Sequence, residues 1–150
     1  MSRRMSCSMT IDAVRDRTKT VTRRHVDTWT TLKPGDRLTL IEKGMGLPKG
    51  AKQVVLADVE ITDVTRETLR QVSRIEVQRE GLWERACNEG LRWEPFFDYL
   101  DLPVVWFRAF WAAGHIGGSI DDWATGQSHP LLLGVPCRRI EWRYLDRADQ

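Results

Sequence analysis

Seven consecutive residues near the N-terminus combine threonine hydroxyls with basic side chains. Residues 18–24 read TKTVTRR, which places three hydroxyls beside one lysine and two arginines. Guanidinium groups and hydroxyls match the geometry of phosphate oxygens, and a lysine adds a compact positive charge. The same composition is also typical of an exposed basic strand. The segment is therefore either the wall of an anion-binding site or an ordinary solvated face.

The charge distribution points to the same end of the chain. The 150 residues carry 23 basic and 21 acidic side chains, a net charge of only +2. Residues 1–24 hold seven basic groups against two acidic ones, whereas residues 76–101 hold seven acidic groups against three basic ones. We therefore expect an anionic ligand to bind at the N-terminal quarter.

The composition disfavours several classes of protein. An apolar fraction of 41% and a charged fraction of 29% are typical of a globular chain of one domain. Three scattered cysteines without a C-x-x-C pair disfavour a disulfide scaffold and predict a cytoplasmic protein. The three histidines lie in different segments, so we expect neither a metal nor another cofactor. Residues 1–9 lack the apolar stretch of a signal peptide, and residues 103–114 are too short to span a bilayer, so no membrane partner is expected.

The first half of the chain predicts short strands around one helix. Residues 1–9 predict a strand, and a helix capped by Thr10 follows to about Arg17. The turn signal KPGD at 33–36 leads into a half-buried strand over 37–43.

The second half adds strands and helices. Alternating apolar residues make 54–64 the clearest strand, and 135–145 predicts the last one. Helical segments are predicted at 67–72, 79–91 and 103–113. Residues 114–134 are predicted to form a loop. We expect an α+β fold in which the last strand rejoins the earlier ones, and a closed barrel would hide the edges of so small a sheet.

The N-terminal half resembles the ASCH family of the PUA-like superfamily. In that family a short helix leads into a G-x-K-T-x-T-x-R-like segment, and a K-x-G-D turn leads into the next strand. Here residues 16–24 read DRTKTVTRR and residues 32–36 read LKPGD. The resemblance covers most of residues 5–82 and the last strand. It implies a PUA-like β-barrel with short flanking helices, as a single domain over 1–150 in which 92–134 form a helical and loop elaboration.

The resemblance also implies a cleft that binds RNA, a nucleoside or a nucleotide. Some small bacterial members remove the acetyl group of N4-acetylcytidine with a lysine, a threonine and a glutamate, and other members are reported as ribonucleases. By position in the motif, Lys19 and Thr22 match the lysine and the threonine. Glu80 is the best match for the glutamate, with Glu76 and Glu60 as alternatives.

Further residues are candidates for contacts with the ligand: Thr20, Arg23, Arg24, Trp29 and Lys43. Arg23 is an extra arginine relative to the family pattern. Arg24 could hold a phosphate or a base carbonyl, or form a surface ion pair. Trp29 could stack on a base or pack in the core, and Lys43 could line the barrel mouth or remain solvated.

Amide hydrolysis needs a nucleophile, a base and donors for the oxyanion. Thr22 could attack or orient a water, while Lys19 can act as the base only if burial lowers its pKa. A tight pair with Glu80 would instead raise that pKa. Residues three apart face opposite sides of a strand, so Lys19 and Thr22 can cooperate only if the chain bends between them.

Two alternatives to catalysis remain open. The protein could be a non-catalytic RNA-binding module, or a protein-binding domain that uses the 106–111 helix.

Overall fold

Five strands form one sheet in the computed structural model, which describes residues 3–126 and 130–146. The strands are β1 Arg3–Ser6, β2 Val21–His25, β3 Arg37–Ile41, β4 Val55–Thr68 and β5 Pro136–Tyr144. Their order is β1-β3-β4-β5-β2, with β1 parallel to β3 and the other neighbours antiparallel. The sheet curls into a half-barrel whose edges are β1 and β2. The predicted α+β fold with a barrel-like sheet is confirmed, although the sheet is curled rather than closed.

Short helices connect and cover the strands. They are α1 Ile11–Arg15, α2 Arg74–Arg79, α3 Trp83–Gly90, α4 Leu102–His115, α5 Ile120–Thr125 and α6 Pro130–Leu133. Single 3₁₀ turns lie at Leu69–Gln71, Leu91–Trp93 and Tyr99–Asp101. None of the helices in the described ranges has the length and apolar character needed to cross a membrane.

The strand predicted over 54–64 continues to Thr68. In its apolar half, the side chains of Val59 and Ile61 are fully buried in the core. Its polar half pairs with β5 up to Thr68↔Pro136, after a register shift between Ile61 and Asp63. The extension brings Glu67 toward the cluster of charges described below.

The single helix predicted over 79–91 is wrong, because the chain breaks after α2. Gly81 has a φ of +81°, a left-handed conformation that interrupts a right-handed helix. Glu80 consequently caps the C-terminus of α2 instead of lying in the first turn of a helix. The Ser73 hydroxyl caps the other end of α2 by accepting from the Glu76 N–H at 3.4 Å.

The loop predicted over 114–134 is also wrong, since α5 and α6 lie within it. The Ser119 hydroxyl accepts a hydrogen bond from the Asp122 N–H at 3.1 Å and so caps α5. His129, one of the histidines predicted not to bind metal, lies outside the described residues. At α1, Thr10 occupies the predicted cap position but its side chain makes no capping hydrogen bond.

Two apolar clusters form the core. One fills the concave side of the sheet and includes Leu38, Leu40 and Ile140. The other surrounds α4, which is buried on most of its circumference. Trp106 and Trp111 are both buried there. The 106–111 helix therefore offers no exposed face for a protein partner.

Candidate functional site

A cavity of about 280 Å³ opens between the two edges of the half-barrel and α4. Four parts of the chain supply its walls: residues 6–10 from the end of β1 onward, the middle of β2 with Lys19 before it, the 80–82 turn, and one face of α4. We call this space the edge cavity. The motif residues Lys19 and Thr22 line it together with Glu80, so the structure brings the three predicted residues to one place.

The bend needed between Lys19 and Thr22 is present. Lys19 precedes β2, and its backbone is fixed from two sides. Its N–H donates to the Ala13 carbonyl at 3.0 Å, and its carbonyl accepts from the Trp142 indole at 3.2 Å. Thr22 lies within β2 and lines the cavity, and its hydroxyl forms no hydrogen bond within the described ranges. That hydroxyl is therefore available to a ligand or to a proton acceptor.

Lys19 and Glu80 form a buried pair of unequal contacts. The two residues are only 3% and 4% exposed. The Lys19 ammonium donates to the Glu80 backbone carbonyl at 2.6 Å, whereas its distance to Glu80 Oε1 is 3.5 Å. Burial lowers the pKa of Lys19 below its ordinary value, although Glu80 and Cys7 raise it in part. The carboxylate is too far for a short charge-assisted bond, which leaves the lysine closer to neutrality than a tight pair would.

Arg24 is the cation of the edge cavity that lacks a carboxylate partner. It lies two residues after Thr22 on β2, so the alternation of a strand puts both side chains on one face. Its Nη2 donates to the Ser6 carbonyl at 2.6 Å and so joins the two edges of the half-barrel. Its Nε is buried without a hydrogen bond, and no carboxylate of the described ranges forms an ion pair with it.

Aromatic residues of α4 form the opposite wall. Phe107, Phe110 and Trp111 line the cavity at helical spacing, followed by His115. The Trp111 indole donates to the Arg23 carbonyl at 3.1 Å, and the His115 ring stacks on it at 4.0 Å. Burial lowers the pKa of His115, which favours the neutral ring. Sequence reasoning missed this wall, because the same spacing is typical of ordinary core residues.

Arg23 also borders the edge cavity, but its guanidinium forms ion pairs with a cluster of carboxylates. Its guanidinium contacts Glu76 at 2.6 Å, Glu80 at 3.0 Å and Glu67 at 3.1 Å, and its side chain is fully enclosed. Glu76 is shared with Arg139 at 2.5 Å. Burial alone would raise the pKa of Glu76, but hydrogen bonds from Arg139 and Arg23 lower it to about 2.

The other predicted ligand contacts lie outside the edge cavity. The Thr20 hydroxyl accepts from the Arg79 guanidinium at 3.2 Å. Trp29 packs against the sheet cluster, with the Arg3 guanidinium 4.8 Å from its ring centroid. Lys43 is exposed in the loop after β3.

Neither alternative glutamate replaces Glu80. Glu76 forms ion pairs with Arg23 and Arg139. Glu60 on β4 pairs with Arg143 on β5 at 3.2 Å, away from the edge cavity. Among the described residues, no group of three histidine, cysteine or acidic side chains could hold a metal ion.

A wider groove continues from the cavity and shares part of its lining. The shared residues are Ser8, Met9, Thr10 and Leu82. The charged residues along the groove are Asp12, Arg15, Glu42, Glu84, Arg85 and Glu89. Four acids against two arginines give this entrance groove a net negative charge. Two of the acids are paired, through Arg15–Glu42 at 3.3 Å and Arg85–Glu89 at 3.3 Å.

Comparisons with known proteins show the fold. No protein-family model matches the sequence, and no curated protein matches it either. The chain is similar to a solved structure from Enterococcus faecalis V583, of the family model DUF984, with 16% identity and a TM-score of 0.53 over 98% of this chain and 83% of that one. An ASCH domain from Lactobacillus crispatus JV V101 matches with 14% identity and a TM-score of 0.43, over 91% of this chain and 70% of that one. The likeness to the Enterococcus protein shows that this chain has the ASCH-like α+β fold that its motif predicted.

Proposed function

We propose that the edge cavity binds a nucleoside-sized ligand, and that Lys19, Thr22 and Glu80 hydrolyse an acyl amide on its base, as in N4-acetylcytidine. The observation that carries this proposal is the meeting of three groups in one cavity: a buried lysine, a buried carboxylate and a free threonine hydroxyl. A buried hydroxyl in the same cavity as a base of lowered pKa supports acyl transfer.

The shape and chemistry of the cavity support a nucleoside. Its volume lies at the small end of ligand pockets, and its aromatic wall can stack on a flat ring. Arg24, with its buried Nε lacking a partner, offers a donor to a carbonyl oxygen. The net negative charge of the entrance groove disfavours a long polyanion. These features favour a free nucleoside over an RNA strand, and hydrolysis of an amide over cleavage of RNA.

The proposed reaction divides into acylation and hydrolysis. Neutral Lys19 takes the proton of Thr22 Oγ as that oxygen adds to the amide carbonyl carbon, and the charge of Arg24 stabilises the oxyanion. The C–N bond then breaks, and Lys19 returns the proton to the departing exocyclic nitrogen. Water next cleaves the threonine ester, which releases the carboxylic acid and restores Thr22. Glu80 keeps Lys19 in place through its backbone carbonyl.

The test is turnover together with binding. Wild-type protein is incubated with N4-acetylcytidine or with a short single-stranded RNA, products are separated by chromatography, and cytidine binding is measured by calorimetry. We expect release of cytidine and acetate, lost in Lys19→Met and kept in Lys52→Met, an exposed lysine outside the cavity. Cleavage of RNA instead of the amide would favour the ribonuclease alternative. Binding without turnover would leave a non-catalytic module.

The cytoplasm remains the proposed location. Cys7, Cys87 and Cys137 are all free thiols in the structure, and two of them are buried. Such thiols persist in a reducing compartment.

A further inference from the structure

Arg23 is the one basic residue of the TKTVTRR segment that is saturated with carboxylates. Glu67 reaches it from β4, Glu76 from α2 and Glu80 from the end of α2. Its two Nη nitrogens are thus occupied by three acids, whereas its Nε is buried without a hydrogen bond. The positive charge of Arg23 therefore offsets the negative charges of these buried acids and fixes their positions.

Of these acids, Glu80 is the one that also faces Lys19. Its carboxylate is divided between two cations: Oε2 accepts from Arg23 Nη1 at 3.0 Å, and Oε1 lies 3.5 Å from Lys19 Nζ. A charge-assisted N–H···O bond is normally about 2.7–2.9 Å long, so the lysine contact is the loose one. Arg23 thus holds the carboxylate at a distance at which Lys19 donates to a neutral carbonyl instead.

We infer that Arg23 is a positioning residue, which holds the Glu80 carboxylate off the Lys19 ammonium so that Lys19 can release its proton. Without Arg23, the Glu80 side chain is free to turn toward Lys19 and close a tight ion pair. That pair would stabilise the charged lysine and remove the base. The inference rests on the proposed function only in taking Lys19 as the catalytic base. The ion pair between Arg23 and Glu80 exists without a substrate.

Several other titratable or charged groups lie near Lys19 and Glu80. The Arg23→Gln variant leaves the rest of them unchanged. The titratable and charged groups around Lys19 and Glu80 are Cys7, Arg23, Arg24 and His115, and those around Arg23 are Glu67, Glu76 and Cys137. Arg139 belongs to the same cluster, where it binds Glu76 at 2.5 Å and Glu141 at 2.7 Å, but it makes no ion pair with Glu80. It is therefore the matched control for Arg23.

The experiment titrates Lys19 in the substrate-free protein. Lysine Cε signals are followed by NMR against pH in wild type, Arg23→Gln and Arg139→Gln, and the Lys19 signal is assigned by its loss in Lys19→Met. We expect the Lys19 midpoint to rise by about one pH unit in Arg23→Gln, because a carboxylate moves into contact with it. In Arg139→Gln the rise should be less than half as large. Equal shifts in the two variants, or no shift in Arg23→Gln, would overturn the inference.

A milder variant covers the case in which Arg23→Gln does not fold. Glu67→Gln removes a carboxylate at the edge of the cluster and leaves Arg23 more firmly on Glu80. Its Lys19 midpoint should stay or fall, and a rise would contradict the positioning role. If wild type binds and hydrolyses no N4-acetylcytidine while these shifts appear, the proposed function fails and the positioning of Glu80 stands.

Discussion

Lys19, Thr22, Arg24 and Glu80, four of the polar residues that line the edge cavity, differ in the hydrogen bonds that they already make. Lys19 donates to a backbone carbonyl, and Glu80 is held by Arg23. The Thr22 hydroxyl makes no hydrogen bond within the described part of the chain, and the Nε atoms of Arg24 and Arg23 are buried without a partner. Buried polar atoms without partners cost free energy unless a ligand or water completes them. The unsatisfied atoms are therefore the ones on which a ligand is expected to act.

The first prediction concerns the nucleophile. Thr22→Val keeps the shape of the side chain and removes its hydroxyl. We expect turnover of N4-acetylcytidine to fall by about a hundredfold or more, because the acyl acceptor and its proton are lost. Cytidine binding measured by calorimetry should change much less.

Its matched control is Thr20→Val, which lies two residues earlier and outside the cavity. The Thr20 hydroxyl serves Arg79, so this variant should retain turnover while losing a hydrogen bond. Full activity in Thr22→Val would show that water, and not Thr22, attacks the amide.

The second prediction concerns stability in acid. The folded pKa of Glu76, about 2, is below its ordinary value of 4.5, so the carboxylate stabilises the fold fully only above pH 4.5. This contribution, about 3 kcal/mol, should be lost progressively as the pH falls from 4.5 toward 2. Urea unfolding at pH 7 and pH 3 measures it.

Glu76→Gln should be less stable than wild type at pH 7 and show a smaller loss between pH 7 and pH 3. Glu84→Gln, which removes an exposed carboxylate, should keep the wild-type pH dependence. If the free energy of unfolding changed with pH in the same way in wild type and Glu76→Gln, the lowered pKa of Glu76 would be contradicted.

At the scale of secondary structure elements, the backbone break at Gly81 determines where Glu80 and Lys19 meet. The left-handed φ ends α2 and turns the chain toward α3. The absence of a side chain matters as much as the turn. A Cβ at this position would lie 2.6 Å from the Ala13 Cβ and 3.2 Å from the Lys19 Cβ. α1, the lysine and the end of α2 therefore approach closely only because residue 81 is glycine.

The third prediction separates this close contact from backbone strain. Gly81→Ala should destabilise the protein by about 1–2 kcal/mol through the left-handed φ, and by about 1–3 kcal/mol more through overpacking. Gly50→Ala has nearly the same φ, +83°, with nothing within 4 Å of the new Cβ, so it should show the first cost alone.

Urea unfolding gives both values, and NMR reports the displacement of the Lys19 signal expected only in Gly81→Ala. Equal destabilisation in the two variants would mean that the contact with Ala13 relaxes freely.

The sequence predicted the strands of this fold better than its helices. Strands such as 37–41 and 136–144 alternate clearly, and the first of them follows the KPGD turn signal. The helix predicted over 79–91 failed because Gly81 was not recognised as a break within an otherwise helical pattern. The α5 helix was missed because its six residues follow two glycines and carry little periodicity.

The candidate site was predictable only where the family resemblance covers it. Lys19, Thr22 and Glu80 were found by the resemblance of TKTVTRR and its context. Arg23 was assigned to the ligand because a sequence does not show which arginine is enclosed by acids from β4 and α2. The α4 wall was missed for a related reason, since Trp111 has the spacing of a core residue and only the tertiary packing exposes it to a cavity.

At the scale of the whole molecule, the cavity exists because the sheet is only half closed. β1 and β2 stand apart at the two edges, and α4 covers the gap between them. Arg24 spans that gap by its bond to the Ser6 carbonyl. The open edges that a full barrel would pair thus border the edge cavity.

The net charge of +2 conceals opposite local charges at the site and at its entrance. Inside, Lys19 and Arg24 face Glu80, with Arg23 neutralised by its acids. Outside, the entrance groove carries four acids against two arginines. The net negative charge of the groove would repel a phosphate chain that lies in it, but not an uncharged nucleoside.

The fourth prediction follows from this arrangement. Cytidine and N4-acetylcytidine should bind with affinities that hardly change between 50 and 200 mM salt, where about a thousandfold loss is expected for a protein that contacts many phosphates. Glu84→Lys should increase the affinity for cytidine 5′-monophosphate and leave that for cytidine unchanged. Glu94→Lys, equally exposed but outside the groove, should change neither. Calorimetry with cytidine and cytidine 5′-monophosphate at both salt concentrations measures these effects. A steep salt dependence for cytidine, or tighter binding of RNA than of cytidine, would contradict the preference for an uncharged nucleoside.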